Sequence, residues 1–239
     1  MYWQSKFESC AYSDSLLSKI YLHNIKSNYQ INILEIKKAI YYAKKYHGSQ
    51  KRLSGEPFYS HPIAVTELVL PFCFKTDILV TSILHDTIED TTLTKEMIEY
   101  LFSSKVAHYV DSLTRVQIDR KISIEEMIDY LWQQRINDDL LLIKYFDRLH
   151  NLQTINFKPN VKIIKTIKET FKKFLSLSLY FKANNPEMSI IHQEMFDICH
   201  EQLANRPLDL TNSKIRVFQD HVQLPSLTSQ NATPQTKNQ

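Results

Sequence analysis

Residues 32–48, "NILEIKKAIYYAKKYHG", contain the apolar pattern that decides the fold class. Ile33, Ile36, Ile40 and Ala43 recur at intervals of three and four residues, which places them on one face of a helix. The stretch ends at Gly48, a residue type that often follows the last turn of a helix because it tolerates positive φ. We therefore predict an amphipathic helix over this stretch.

The glycine content of the whole chain also favours helices. The 239 residues include two glycines, Gly48 and Gly55, which is very few for a fold that depends on tight turns and strand bulges. We predict an all-α fold, a single bundle of roughly eight to ten helices. Further helices are predicted over residues 61–70, 78–86, 95–102, 124–132, 138–155, 160–181 and 186–203.

Polar residues stand where several of these helices would begin. Asp77 and Thr94 precede helical stretches and are residue types whose side chains accept hydrogen bonds from a first turn. Ser123 is followed three positions later by Glu126, which is the spacing of a capping box. We predict that Asp77, Thr94 and Ser123 cap the helices that follow them.

The domain organisation is predicted from composition. No internal repeat and no Gly- or Ser-rich linker divides the chain. We predict an N-terminal extension over residues 1–30, one helical domain over 31–205 and a polar, flexible tail over 206–239. From about Leu224 the composition shifts to Ser, Thr, Asn, Gln and Pro, which bury too little apolar area to offset the entropy of ordering.

Charge and cysteine usage exclude several classes of protein. The formal net charge of +3 is too small for a general nucleic-acid binder, and the basic residues are spread along the chain. Cys10, Cys73 and Cys199 are far apart and form no CxxC pair, so we expect no disulfide framework. No apolar run approaches the roughly 18 residues of a membrane span. We expect a cytoplasmic protein without nucleic-acid or membrane partners, and we derive no oligomeric state.

Ionisable residues interrupt the apolar stretch "SILHDTIEDT", residues 82–91. Buried charges need partners, and a metal ion is one kind of partner. Candidate ligands are His61 at a predicted helix start, His85 and Asp86 at a helix end, and Asp147 inside a buried helix. Mixed nitrogen and oxygen ligands suit Mn, Fe, Zn or Co. For the His85-Asp86 pair alone, the alternative is a capped or solvated helix end.

The predicted helix over residues 138–155 carries a polar stripe. Asp147, Asn151 and Thr154 are spaced i, i+4 and i+7, so they share one face of the helix. A polar stripe on a buried helix needs hydrogen-bonding partners. A metal at Asp147 and a substrate at Asn151 and Thr154 would supply them, and the alternative is an internal hydrogen-bond network or a wet surface.

Three stretches together resemble a known family. They are "HGSQKRLSGEPFYSHPIAV" at 47–65, "SILHDTIEDT" at 82–91 and "FDRLHNLQTI" at 146–155. Their order and spacing resemble the hydrolase domain of the RelA/SpoT family, a branch of the HD phosphohydrolases. The resemblance implies hydrolysis of the 3′-pyrophosphate of ppGpp or pppGpp to GDP or GTP and pyrophosphate, with bound Mn²⁺. Nothing after residue 160 resembles the domain that synthesises these alarmones in long members of the family, so we expect hydrolysis without synthesis.

The resemblance also implies roles for individual residues. It assigns the metal ligands to His61, His85, Asp86 and Asp147, and the carboxylates that position or deprotonate the attacking water to Glu89 and Asp90. It assigns contacts with the guanine nucleotide to Arg52, Ser54, Asn151 and Thr154, with Arg52 stacking on the base. The ammonium of the neighbouring Lys51 can meet a phosphate as a point charge, and the alternative for Lys51 and Arg52 is a solvated loop.

Some positions depart from the family pattern. Leu53 stands where bifunctional relatives are commonly basic, Tyr145 and Phe146 are bulkier than usual before the aspartate, and Gln153 replaces a frequent arginine. Leu53 prompts one alternative, an HD phosphohydrolase of another nucleotide. The bulky pair prompts another, a catalytically decayed domain that binds an alarmone or a partner protein.

Overall fold

The structure is a computed structural model that describes residues 3–114, 122–133 and 138–206. The chain divides into two units, Met1–Glu201 and Gln202–Gln239, and the fold described here is that of the first. Residues 207–239 of the predicted polar tail lie outside the described ranges. None of the helices in the described ranges has the length and apolar character needed to cross a bilayer.

The predicted all-α class is confirmed. The described ranges contain twelve α-helices and no named strand, with one isolated antiparallel bridge between Lys51 and Pro57. The eight predicted stretches correspond to nine of these helices, because the stretch 160–181 divides into two, and Ala11–Lys26, Thr87–Asp90 and Ser104–Leu113 are additional. The helices are α1 Ala11–Lys26, α2 Ile33–His47, α3 Ser60–Val69, α4 Thr76–Leu84, α5 Thr87–Asp90, α6 Lys95–Leu101, α7 Ser104–Leu113, α8 Ile124–Gln133, α9 Asp138–Gln153, α10 Asn160–Glu169, α11 Leu175–Asn184 and α12 Met188–Ala204.

Two of the predicted caps are confirmed and one is wrong. Thr94 accepts a hydrogen bond from the Met97 amide at 3.3 Å. Ser123 and Glu126 form the reciprocal capping box, with bonds of 2.8 and 3.1 Å. Asp77 does not cap α4, because that helix begins one residue earlier, at Thr76. Its carboxylate lies in the first turn, where the helix dipole favours negative charge.

Helix α4 forms the centre of the domain. It packs against α2, α3, α7 and α9. Ile78, Leu79, Ile83 and Leu84 on this helix are fully buried, and each contributes about 1.5–3 kcal/mol by leaving water. This burial fixes the carboxyl end of α4, and therefore the residues that follow it, in the middle of the bundle.

Helix α1 lies within the stretch predicted as an N-terminal extension. It packs against α2 and α3, and its Leu16, Leu17 and Ile20 are buried. The described part of the extension is thus a packed helix, and the domain boundary at residue 31 stays a prediction.

The stretch 160–181, predicted as one amphipathic helix, contains a π-helical turn at Thr170–Phe174 between α10 and α11. The Thr166 carbonyl accepts side-chain bonds from Thr170 at 2.7 Å and from Arg148 at 3.3 Å. Side-chain donors that enter the helical ladder in this way widen it locally. Apolar periodicity alone gave no sign of this turn.

Candidate metal centre

Three helical elements bring four of the predicted site residues together. His61 is the second residue of α3, His85 and Asp86 connect α4 to α5, and Asp147 lies in the middle of α9. His61 Nε2 lies 3.1 Å from Asp147 Oδ1 and 3.5 Å from Asp86 Oδ2. His85 Nε2 lies 3.1 Å from Asp86 Oδ1 and 3.9 Å from Asp147 Oδ1. The four side chains converge on one point.

The break between α4 and α5 explains how two adjacent residues reach the same point. Neighbouring residues within a helix diverge by about 100°. Here the regular helix ends at Leu84, and Asp86 is the residue that precedes α5. Nitrogen and oxygen atoms of His61, His85 and Asp86 all lie within 4.8 Å of one another, which is a spacing that a single cation can bridge.

The hydrogen bond of the His85 ring orients it for ligation. Its Nδ1 lies 2.8 Å from the Ser82 carbonyl oxygen, which can only accept, so Nδ1 carries a proton. In the neutral ring Nε2 then presents a lone pair toward the carboxylates. This Nε2 is buried and makes no hydrogen bond with the described residues. A metal-ligating histidine typically donates one ring N–H to a carbonyl and keeps the lone pair of the other ring nitrogen for the metal.

His150 orients the His61 ring, as the Ser82 carbonyl orients the His85 ring. The Nδ1 atoms of the two rings are 2.9 Å apart, so one donates and the other accepts. Burial, together with the neighbouring His61 and Arg52, lowers the pKa of His150 to about 3. The neutral His150 ring can accept a proton from His61 Nδ1, which leaves His61 Nε2 free to ligate.

The two carboxylates are held in their ionised form. Burial alone would raise the pKa of Asp86, but His85 and His61 lower it below its usual range. Burial likewise opposes ionisation of Asp147, while the nearby Lys144 ammonium and His61 lower its pKa. Lys144 Nζ lies 3.6 Å from Asp147 Oδ2. Sequence reasoning missed this buried lysine, although its i, i+3 spacing before Asp147 was a readable signal.

The donor set fits a divalent cation. The ligand atoms of His61, His85 and Asp86 lie within 4.8 Å of one another, and Asp147 Oδ1 lies 3.1 and 3.9 Å from the two imidazole nitrogens. Burial disfavours the charged form of His85, but the Asp86 and Asp147 carboxylates together raise its pKa. A metal ion binds the neutral imidazole, so protonation of His85 competes with metal binding and links metal affinity to pH.

A cavity of about 420 Å³ opens over this cluster, within the range of small-molecule sites. Nearly every residue predicted for the site lines it, while His85 lies behind the wall and is fully buried. The predicted residues in the lining are Lys51, Arg52, Ser54, His61, Asp86, Glu89, Asp90, Asp147, Asn151 and Thr154. Sequence reasoning did not place Lys144, Arg148 or Lys158 there.

The loop between α2 and α3 forms one side of the cavity. Gly55, with φ of +92°, makes the turn that returns the chain, and its amide donates to the Arg52 carbonyl at 2.9 Å. The Arg52 guanidinium donates to Thr154 Oγ1 at 3.0 Å and to Asn151 Oδ1 at 3.4 Å. Ser54 Oγ is buried and lacks a partner among the described residues.

The polar stripe on α9 faces the cavity. Asn151 Nδ2 donates to Asp147 Oδ1 at 2.6 Å, which connects the stripe to the metal-ligand cluster. Thr154 follows the last residue of α9 and donates to the His150 carbonyl at 2.9 Å. The i, i+4, i+7 spacing therefore correctly predicted residues on a common face.

Helix α5 presents the two acidic residues of the "ED" pair to the same cavity. Glu89 and Asp90 are its last two residues, and both line the opening beside Asp86. The Gln50 side chain donates to the Asp90 carbonyl at 2.8 Å. The one-turn helix is thus attached to the α2–α3 loop, which restricts where the carboxylates can lie.

The bulky residues before Asp147 do not enter the cavity. Tyr145 and Phe146 are fully buried, and their rings pack against Phe181 and Phe72 with centroid distances of 5.4 and 5.3 Å. Leu53, by contrast, lines the opening with 66% of its surface exposed. The aromatic pair therefore fills the core and leaves the site open.

Comparisons with known proteins agree with this geometry. The HD domain family model matches residues 39–178. A GTP pyrophosphokinase from Brucella ovis is 33% identical over 153 residues, 62% of this chain and 20% of its own length. A probable guanosine-3′,5′-bis(diphosphate) 3′-pyrophosphohydrolase from Mycoplasma genitalium is 30% identical over 201 residues, 78% of this chain and 27% of its own length. The chain thus spans a fifth to about a quarter of these curated relatives.

A solved structure shares the fold. It is described as a metazoan ortholog of SpoT that hydrolyses ppGpp, and it is 21% identical to this chain with a TM-score of 0.53. The match covers 70% of this chain and 95% of that one. The family model over residues 39–178 shows that the chain belongs to the HD domain family, and with the sequence relatives above it shows an HD domain of the RelA/SpoT type.

Proposed function

We propose that this protein hydrolyses the 3′-pyrophosphate of ppGpp and pppGpp, giving GDP or GTP and pyrophosphate. The observation that carries the proposal is the convergence of His61, His85, Asp86 and Asp147 beneath a cavity of about 420 Å³ that is also lined by several cationic side chains. We assign these four side chains as ligands of a divalent ion, Mn²⁺.

The chemistry follows from the donor groups. A divalent ion bound here would lower the pKa of a coordinated water from about 15.7 toward about 7 and screen the phosphoryl oxygens. Glu89 or Asp90 accepts a proton as the water oxygen attacks the phosphorus attached to the 3′ oxygen. The bond between that phosphorus and the 3′ oxygen breaks, and the 3′ oxygen takes up a proton. Lys144 keeps Asp147 ionised throughout.

The other side of the cavity suits a nucleoside. The planar guanidinium of Arg52 can stack on a purine while its edge stays bonded to Asn151 and Thr154. The unpartnered Ser54 hydroxyl offers a further hydrogen bond. Lys51 is exposed at the rim, where it can meet a phosphate as a point charge.

One alternative retains support from a specific observation. Leu53 exposes an apolar surface at the opening where a basic residue would attract phosphate, which favours a nucleotide with a different phosphate pattern. The decayed-domain alternative is disfavoured, because Tyr145 and Phe146 pack into the core and the four ligand side chains still converge.

Turnover of ppGpp, GTP, dGTP and NADPH, each with and without added Mn²⁺, tests the proposal. We expect Mn²⁺-dependent release of pyrophosphate from ppGpp and much slower turnover of the other three. Equal turnover of a substrate without a 3′-pyrophosphate would exclude the alarmone assignment and favour the other nucleotide.

Arg52→Ala is expected to raise the KM for ppGpp roughly ten- to a hundredfold, since a hydrogen bond to a charged group contributes about 1.5–3 kcal/mol. The change in kcat should be smaller, because Arg52 does not contact the predicted metal ligands. Steady-state kinetics of Arg52→Ala and Arg52→Lys measure this effect. Recovery of the parental KM in the lysine variant would contradict a role for the planar guanidinium.

A further inference from the structure

Two cationic side chains converge on one neutral oxygen in the cavity. Lys158 Nζ lies 3.3 Å from Asn151 Oδ1, and Arg52 Nη2 lies 3.4 Å from the same atom. The Asn151 amide nitrogen donates to Asp147, so this oxygen is turned away from the metal-ligand cluster and toward the two cations. One amide oxygen therefore partners an ammonium and a guanidinium at once.

Neither cation forms a salt bridge with a described residue. Carboxylates act on them only from farther away, Asp147 on both, Asp86 and Glu56 on Arg52, and Glu169 on Lys158. Among the residues that the structure describes, no carboxylate lies within 4.0 Å of Lys158 Nζ or of the Arg52 guanidinium. Both side chains are half-buried. Burial, followed by Arg148 and Arg52, lowers the pKa of Lys158. Half-buried like charges beside each other are unfavourable unless an anion joins them.

Arg148 lines the same cavity and is a cation that has a carboxylate partner. Its guanidinium donates to Glu169 at 2.9 Å and lies 4.5 Å from the centre of the Phe174 ring. Arg148 is thus neutralised and stacked, whereas Lys158 and Arg52 form no salt bridge with a described carboxylate.

The backbone holds Lys158 in place. It follows the 3₁₀ turn Ile155–Phe157, and its amide donates to the Ile155 carbonyl at 2.9 Å. Ile155 is buried, and Pro159 precedes α10. Because the backbone on both sides of Lys158 is held, placing its side chain in the cavity costs less conformational entropy than it would for a lysine on a mobile loop.

We propose that Lys158 and Arg52 form an anion subsite that binds a phosphate group of the substrate beside the metal centre. The inference rests on the proposed function, since it assumes a nucleotide in this cavity, and it adds Lys158 to the residues that bind it. An oxygen of the phosphate accepts hydrogen bonds from both cations, with Arg52 using the edge of its guanidinium and leaving the face of the group to the purine.

Calorimetric titration of the full chain at a fixed Mn²⁺ concentration tests this subsite. The probes are guanosine, GDP and inorganic pyrophosphate, and the variants are Lys158→Gln and Lys158→Arg. Lys168→Gln, an exposed lysine of α10, removes the same charge outside the cavity. We expect Lys158→Gln to raise the Kd for GDP, the Kd for pyrophosphate, or both. The expected increase is about tenfold, which corresponds to about 1.4 kcal/mol of binding free energy. Guanosine affinity should not change.

The two phosphate probes locate the group that Lys158 binds. A loss confined to pyrophosphate assigns the subsite to the cleaved group, and a loss confined to GDP assigns it to the 5′ diphosphate. Lys158→Arg should restore most of the affinity, and added salt should weaken the parent more than Lys158→Gln. Parental Kd values for both probes in Lys158→Gln, or an equal loss for guanosine, would overturn the proposal.

The binding experiment can succeed or fail whatever the turnover experiment shows. If the parent fails to hydrolyse ppGpp but Lys158→Gln still loses affinity for pyrophosphate, the subsite stands and the proposed reaction fails. If the parent hydrolyses ppGpp and Lys158→Gln binds both phosphate probes normally, the reaction stands and the subsite is wrong. Thermal unfolding and metal content of each variant verify that the fold and the metal centre are intact.

Discussion

Replacing His85 or Asp147 with alanine is expected to remove bound metal from the protein and to abolish ppGpp hydrolysis. Changes outside the ligand shell already reduce metal affinity 10- to 100-fold, so loss of a ligand itself should reduce it by more than about a hundredfold. Each substitution removes one of four converging donors. The remaining carboxylate or imidazole is then buried without its partner, which disfavours a bound ion further.

Metal analysis after gel filtration measures this loss directly. Adding Mn²⁺ should raise the melting temperature of the parent, because an ion that binds only the folded state stabilises it by about 2.7 kcal/mol at a hundred times its Kd. The variants should show little or no rise. His108→Ala on α7 and Asp129→Ala on α8 serve as matched controls, because both residues are exposed and lie on other helices. Parental metal content in both ligand variants would disprove the assignment.

The helices and the cluster were largely readable from the sequence because their signals are local. Apolar spacing identified α2 and α9, and the spacing of Asp147, Asn151 and Thr154 placed these residues on one face. That His85 and Asp86 meet His61 was inferred from residue types, and it depends on a break between α4 and α5 that the sequence marks only weakly.

Features that depend on contacts between distant parts of the chain could not be predicted from the sequence. Lys158 is 106 residues from Arg52, and nothing local to either residue shows that both meet at Asn151. Asp77 looked like a helix cap, yet α4 begins at Thr76 and Asp77 lies in its first turn. The π turn at Thr170–Phe174 similarly reflects donors from α9 that no helical pattern records.

Asp90→Asn and Glu89→Gln are expected to lower kcat while bound metal is retained. A positioned general base contributes about 10²–10⁴-fold to rate, and the residue that accepts the proton should account for most of this factor. Both carboxylates line the opening beside Asp86, and neither is among the four side chains assigned as metal ligands. The amide replacements keep size and hydrogen bonding and remove the basic oxygen.

The comparison of the two variants decides which carboxylate acts as the base. The acceptor of the proton should show the larger loss in kcat and a flattened dependence of kcat on pH, whereas a residue that only orients the water should mainly change the size of kcat. Glu99→Gln on the exposed side of α6 is the matched control. If both variants turned over ppGpp at the parental rate with full metal content, proton acceptance would have to be assigned to another group in the cavity.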